Sequence, residues 1–131
     1  MISKLKIKHD DLALLLVRIG LGLVFMVHGY IKLSETAGMI GFFSSLHLGA
    51  VWVYLVGWTE LLAGLAVLLG IFSRFGSILL TTVMTVVILR VKLHSGFSNS
   101  ELEILLLLCS VAIALAGPGQ YTVKSILNTK I

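Results

Sequence analysis

Residues Val51 to Ile71 read VWVYLVGWTELLAGLAVLLGI, an apolar run of membrane-spanning length interrupted by one carboxylate, Glu60. About 20 apolar residues cross a hydrocarbon core as a helix. An ionised carboxylate near the middle of such a span is costly unless it finds a cation, a hydrogen-bond donor or a proton. The stretch therefore decides the fold class and poses the functional question together: a membrane helix, and a search for the groups that reach Glu60.

Working outward, three more apolar stretches predict helices over about Asp11 to Leu33, Phe75 to Leu93 and Glu101 to Ala116, beside the one already quoted. Composition agrees: 58% of the 131 residues are hydrophobic and 12% charged, far from the balance of a soluble domain. Four spans use most of the chain, so the expectation is one domain over residues 1–131. It is an all-α, integral membrane four-helix bundle with antiparallel neighbouring helices. The Asp10 and Asp11 pair is expected to start the first helix, carboxylates facing the positive end of the backbone dipole. Gly117, Pro118 and Gly119 stop the last one.

The formal charge of +4 does not point to nucleic acid, because Lys4, Lys6, Lys8, Arg74, Lys124 and Lys130 are scattered over connections and ends. They read as topology determinants: one side of the bundle holds these six, the other Lys32, Arg90 and Lys92. Both termini are thus expected in the cytoplasm, with the chain multi-pass in the inner or plasma membrane and in contact with the lipid bilayer. A cleaved signal peptide is not expected. The run from Leu12 to Ile31 is too long, contains Arg18, and is followed by no Ala-x-Ala site.

The connection from Ser34 to Ala50 carries Met39, Ile40, Phe42, Phe43 and Leu46. It reads either as a short amphipathic segment acting as a lid or as an interfacial loop anchored by Phe42, Phe43 and Trp52.

Helical spacing sorts the polar residues. Arg18, Gly22, Phe25, Gly29 and Lys32 share one stripe of the first helix, with His28 beside it. Gly57, Glu60 and Gly64 share one stripe of the second, and small residues in both admit a close neighbour. Glu60 is therefore expected to point inward, approached by Arg18 from one side and His28 from the other. Two readings of Glu60 stand together: a buried group that fixes helix register, and a proton-handling group. Lys32 is expected to snorkel to the outer interface, where it could meet an anion. Arg90, Lys92, His94, Glu101 and Glu103 cluster at the same outer mouth and predict a polar vestibule. Which of Glu101 and Glu103 faces the bundle is left open. The single Cys109 reads as packing, and it excludes an internal disulfide or CxxC pair. His9 and His47 lie outside the spans. No signature of a nucleotide, iron–sulfur or zinc site is present.

The chain resembles the DoxX family of small four-helix membrane proteins. The resemblance rests on the arginine-bearing first helix ending in His28, Gly29, Tyr30, Ile31 and Lys32, and on Gly57, Glu60 and Gly64. It continues through Gly70, Ile71, Phe72, Ser73 and Arg74, then His94, Ser95, Gly96 and Phe97 before Glu101, Leu102 and Glu103, and the closing Gly117, Pro118, Gly119, Gln120 and Tyr121. It implies association with membrane redox systems, including thiosulfate oxidation coupled to quinone reduction. The leading reading is a membrane subunit, an oxidoreductase component needing a partner, that binds a quinone or small sulfur anion in the vestibule. In it Glu60 and His28 handle protons, and Arg18, Lys32, Arg90, His94 and Glu103 bind substrate. A redox partner protein or a second copy would supply the missing electron carrier. The alternatives are a non-enzymatic scaffold or assembly subunit, and a b-type haem protein using His28 and His94. No metal site is expected.

Overall fold

The computed structural model describes residues 2–92 and 100–130. Its helices are α1 Ile2–Ser34, α2 Thr36–Ser45, α3 Ala50–Leu69, α4 Ser73–Val87 continued by a π-helical turn Ile88–Lys92, α5 Glu101–Ala116 and α6 Val123–Lys130. All the elements among the described residues are helical. The segments His9–Ser34, Ala50–Leu69 and Ser73–Val91 are long and apolar enough to cross a membrane. α5, at 16 residues, is shorter but packs with them as the fourth member of the bundle. Large apolar residues such as Leu16, Val27, Leu62, Ile78, Leu108 and Leu115 stay exposed, as lipid-facing side chains do.

Helix α3 lies between α1 and α4, and α5 packs on α4 while touching α1 lightly. The α1–α3 seam is the tightest and is set by glycine. A Cβ built on Gly22 would lie 2.8 Å from the Gly64 carbonyl oxygen, and one on Gly29 would lie 2.6 Å from that of Gly57. Only glycine permits backbones to meet this closely, and the equal spacing of the two pairs fixes an antiparallel register. Around this seam Leu21, Phe25, Ala63, Val67, Leu80, Met84, Leu106 and Ile113 form the buried core.

Several expected boundaries move. α1 starts at Ile2, not at Asp11: no glycine or proline occurs before Gly20, and Lys, Ile and Leu sustain a helix through the two aspartates. Asp11 does different work, its Oδ1 accepting the backbone N–H of Gln120 at 3.2 Å and so holding the turn after α5. α3 stops at Leu69 because Gly70 adopts φ 78°, the left-handed conformation that ends a helix. The connection after α1 is largely helical, with Phe43 of α2 buried and Phe42 exposed. α6 follows a Thr122 cap whose Oγ1 accepts the Ser125 N–H at 3.0 Å.

Candidate functional site

Glu60 is 1% exposed, inside the bundle, and its partner is Lys32: Nζ donates to Oε2 at 3.0 Å. The expected outward snorkelling of Lys32 is not what occurs. Its Cβ lies 3.2 Å from where a Gly57 side chain would begin, so the absence of that side chain opens a path for the lysine stem. Glu60 follows Gly57 by three residues, so the stem descends about 4.5 Å, nearly one helical turn. A carboxylate buried in low dielectric gains far more from this ammonium than the ammonium would gain at an interface. The side chain of Lys32 remains 15% exposed, which leaves the pair reachable from the end of the bundle that carries α2.

His28 is half-buried on α1, one turn before Lys32, and lies within electrostatic range of Glu60. Its Nδ1 is 2.7 Å from the Val24 carbonyl oxygen. A carbonyl only accepts, so Nδ1 carries the hydrogen, and Nε2 has no hydrogen-bond partner among the described residues. Lys32 and Glu60 thus set an ammonium against a carboxylate among apolar helices, and His28 places an imidazole one helical turn before Lys32 on α1.

Arg18 is not part of that pair. It precedes Lys32 by 14 residues of α1, about 21 Å along the axis. The expected approach of Arg18 to Glu60 is therefore replaced by another arrangement. The guanidinium, only 1% exposed, donates from Nε to the Val67 carbonyl at 2.8 Å and from Nη2 to Leu68 at 2.9 Å. Its Nη1 donates to Pro118 at 3.0 Å and to Tyr121 at 2.7 Å. The last carbonyls of a helix have no intrahelical donor and sit at its negative end, so Arg18 both satisfies and neutralises the end of α3. It also ties the turn after α5 to α1. Gly70 belongs to this knot, for a Cβ there would come 2.6 Å from Nη2 of Arg18.

The other expected residues are distributed as follows. Arg90 is exposed at the α2 end, its Nη1 donating to the Leu46 carbonyl at 3.3 Å, which ties the π-helical turn to the chain between α2 and α3. In the first turn of α5, Glu103 is half-buried while Glu101 is exposed. His94 lies outside the described residues. Among the described residues no group of three or more His, Cys, Asp or Glu is placed to hold a metal. Cys109 is a free, half-buried thiol.

Reasoning from residue types missed the main-chain carbonyls that receive Arg18. A signal for them existed: pairing Gly22 with Gly64 across antiparallel helices sets Arg18 opposite Leu68, at the end of α3.

Fold and site together define a multi-pass membrane helical bundle with an ion pair buried between its first and third helices. Sequence comparison matches residues 13–93 to DoxX. A Bacillus subtilis (strain 168) protein named "Putative oxidoreductase CatD" is 35% identical over 111 residues, covering 84% of this chain and 83% of that protein. The chain belongs to the DoxX family. No solved structure matches it.

Proposed function

We propose that this protein is the membrane subunit of a redox system and that the Lys32–Glu60 pair, with His28, moves protons for a quinone at the α2 end of the bundle. The observation that carries this reading is the ion pair itself, a carboxylate and an ammonium 3.0 Å apart in the interior yet partly open at one end. Family membership and the name of the Bacillus subtilis relative point to redox chemistry. Quinone reduction takes up two protons with two electrons, and the residues here match the proton half of that chemistry. Glu60 and Lys32 share a hydrogen bond along which a proton passes, and His28 Nε2 is free to accept or deliver one. Electrons come from a partner protein, since one cysteine and no clustered ligands give this chain no carrier among the described residues.

A small sulfur anion is the weaker of the two ligand classes. Lys32 is already neutralised by Glu60, and an ion pair of zero net charge favours an uncharged ligand beside it. The distribution of basic residues supports a plasma or inner membrane setting with both termini in the cytoplasm. Arg18 supports a scaffold role for its own end of the bundle, because its bonds are all to main chain.

The test uses Glu60→Gln alone and together with Lys32→Met, in membranes, scoring protein level, co-purified quinone and quinol formation with the native partner. The double variant removes both charges and so avoids a lone buried ammonium. It should keep its membrane level and lose quinol formation. Retained activity in the double variant would refute the proton role.

A further inference from the structure

Serine and threonine hydroxyls in the membrane helices turn back to a carbonyl of the preceding turn, and Ser73 and Ser77 do not. Thr59, Thr81, Thr82, Thr85 and Ser110 each donate to the carbonyl four residues earlier, at 2.7 to 3.0 Å. This is the usual way for a helix to hide a hydroxyl. Ser73 and Ser77 of α4 are 3% and 0% exposed, and neither Oγ has a hydrogen-bond partner among the described residues. A buried hydroxyl without a partner carries an uncompensated loss of hydration, so two on one face call for a ligand.

Their positions indicate its size. They are four residues apart on the buried face of α4, so their Cβ atoms are about 6 Å apart. Hydroxyls on side chains that close are within reach of one bridging oxygen, each through a hydrogen bond of about 2.8 Å. The surroundings add donors. Ser73 is the first residue of α4, where backbone N–H groups have no intrahelical acceptor, and the preceding Phe72 supplies no side-chain cap. Gly70, three residues before Ser73, touches the Arg18 guanidinium, a buried charge that makes no ion pair among the described residues. The two unpartnered hydroxyls by themselves offer a water two of the two to four polar partners it needs.

We propose that Ser73 and Ser77 hold a buried water between them, a hydration site at the Arg18 end of the bundle. It is separate from the Lys32–Glu60 pair, which opens toward the α2 end. Leu80 and Val67 belong to the buried core that surrounds these serines.

Water-edited solid-state NMR on the wild-type protein in lipid bilayers, with serine carbons labelled, tests this without any substitution. Polarisation from water should reach Cβ of Ser77 several-fold faster than Cβ of Ser110, which is equally buried but bonded to Leu106. Equal, slow build-up at Ser77 and Ser110 overturns the proposal. The second measurement is the unfolding midpoint of Ser77→Ala. Removing a hydroxyl that binds water lowers it, as expected here. Removing a dry, unpartnered hydroxyl leaves it unchanged or raises it, and either result overturns the proposal.

Discussion

Substituting Gly29 by alanine probes the link between backbone packing and the ion pair. The added Cβ would lie 2.6 Å from both the Gly57 carbonyl oxygen and the Leu61 amide nitrogen. Ordinary contact begins at 3.4 Å, so α1 and α3 must part locally by about 0.8 Å. Both opposing atoms are main chain, so no side-chain rotation relieves the clash. Overpacking of this kind costs about 1–3 kcal/mol. The same separation draws Lys32, three residues along α1, away from Glu60 and lengthens a bond now at 3.0 Å. Gly20→Ala on the same helix is the control, because nothing lies within 4 Å of a Cβ there. Replacing a helical glycine in open space stabilises by about 0.5–1 kcal/mol. Unfolding by titrated denaturing detergent, followed by circular dichroism, should therefore shift the two variants in opposite directions. Finding Gly29→Ala as stable as Gly20→Ala would refute the proposed seam.

Lys32→Met leaves a buried carboxylate alone and should cost about 3–5 kcal/mol. Adding Glu60→Gln should restore most of the loss, and a detergent unfolding cycle showing additive single effects would count against the pair. Arg18→Lys keeps the charge but loses the fork that reaches two segments. Losing two of its four carbonyl bonds, at about 1.5 kcal/mol or more each, should lower stability by about 3 kcal/mol, read as the shift in unfolding midpoint. Thr122→Ala removes the cap of α6 and should cost about 1 kcal/mol. It should appear as faster amide exchange at Ser125 with the bundle unchanged.

The bundle was legible because lipid imposes a simple rule: long apolar runs become helices, and short polar connections join them. The glycine stripes were legible too, since small residues at helical spacing mark a close neighbour. Glu60 announced itself through the cost of burying a carboxylate. Its partner did not, because the choice between Arg18 and Lys32 depends on register. Register comes from Gly22 meeting Gly64 and Gly29 meeting Gly57, a pairing that spacing within one helix cannot reveal. Arg18 was misread for a related reason. Charge suggests a charged partner, whereas the unsatisfied carbonyls at a helix end are invisible in a list of side chains. Asp11 shows the same limit: it resembles a helix start locally, yet its acceptor role depends on Gln120, 109 residues away.

The decisive measurement is the distance between Nζ of Lys32 and the side-chain carboxyl of Glu60, from nitrogen–carbon dipolar dephasing in the protein labelled with 15N-lysine and 13C-glutamate and reconstituted in bilayers. Strong dephasing that disappears in Lys32→Met is the predicted result, matching a nitrogen–oxygen separation of 3.0 Å. Dephasing that is absent, or that survives in Lys32→Met, would contradict the pair on which the proposed proton chemistry rests.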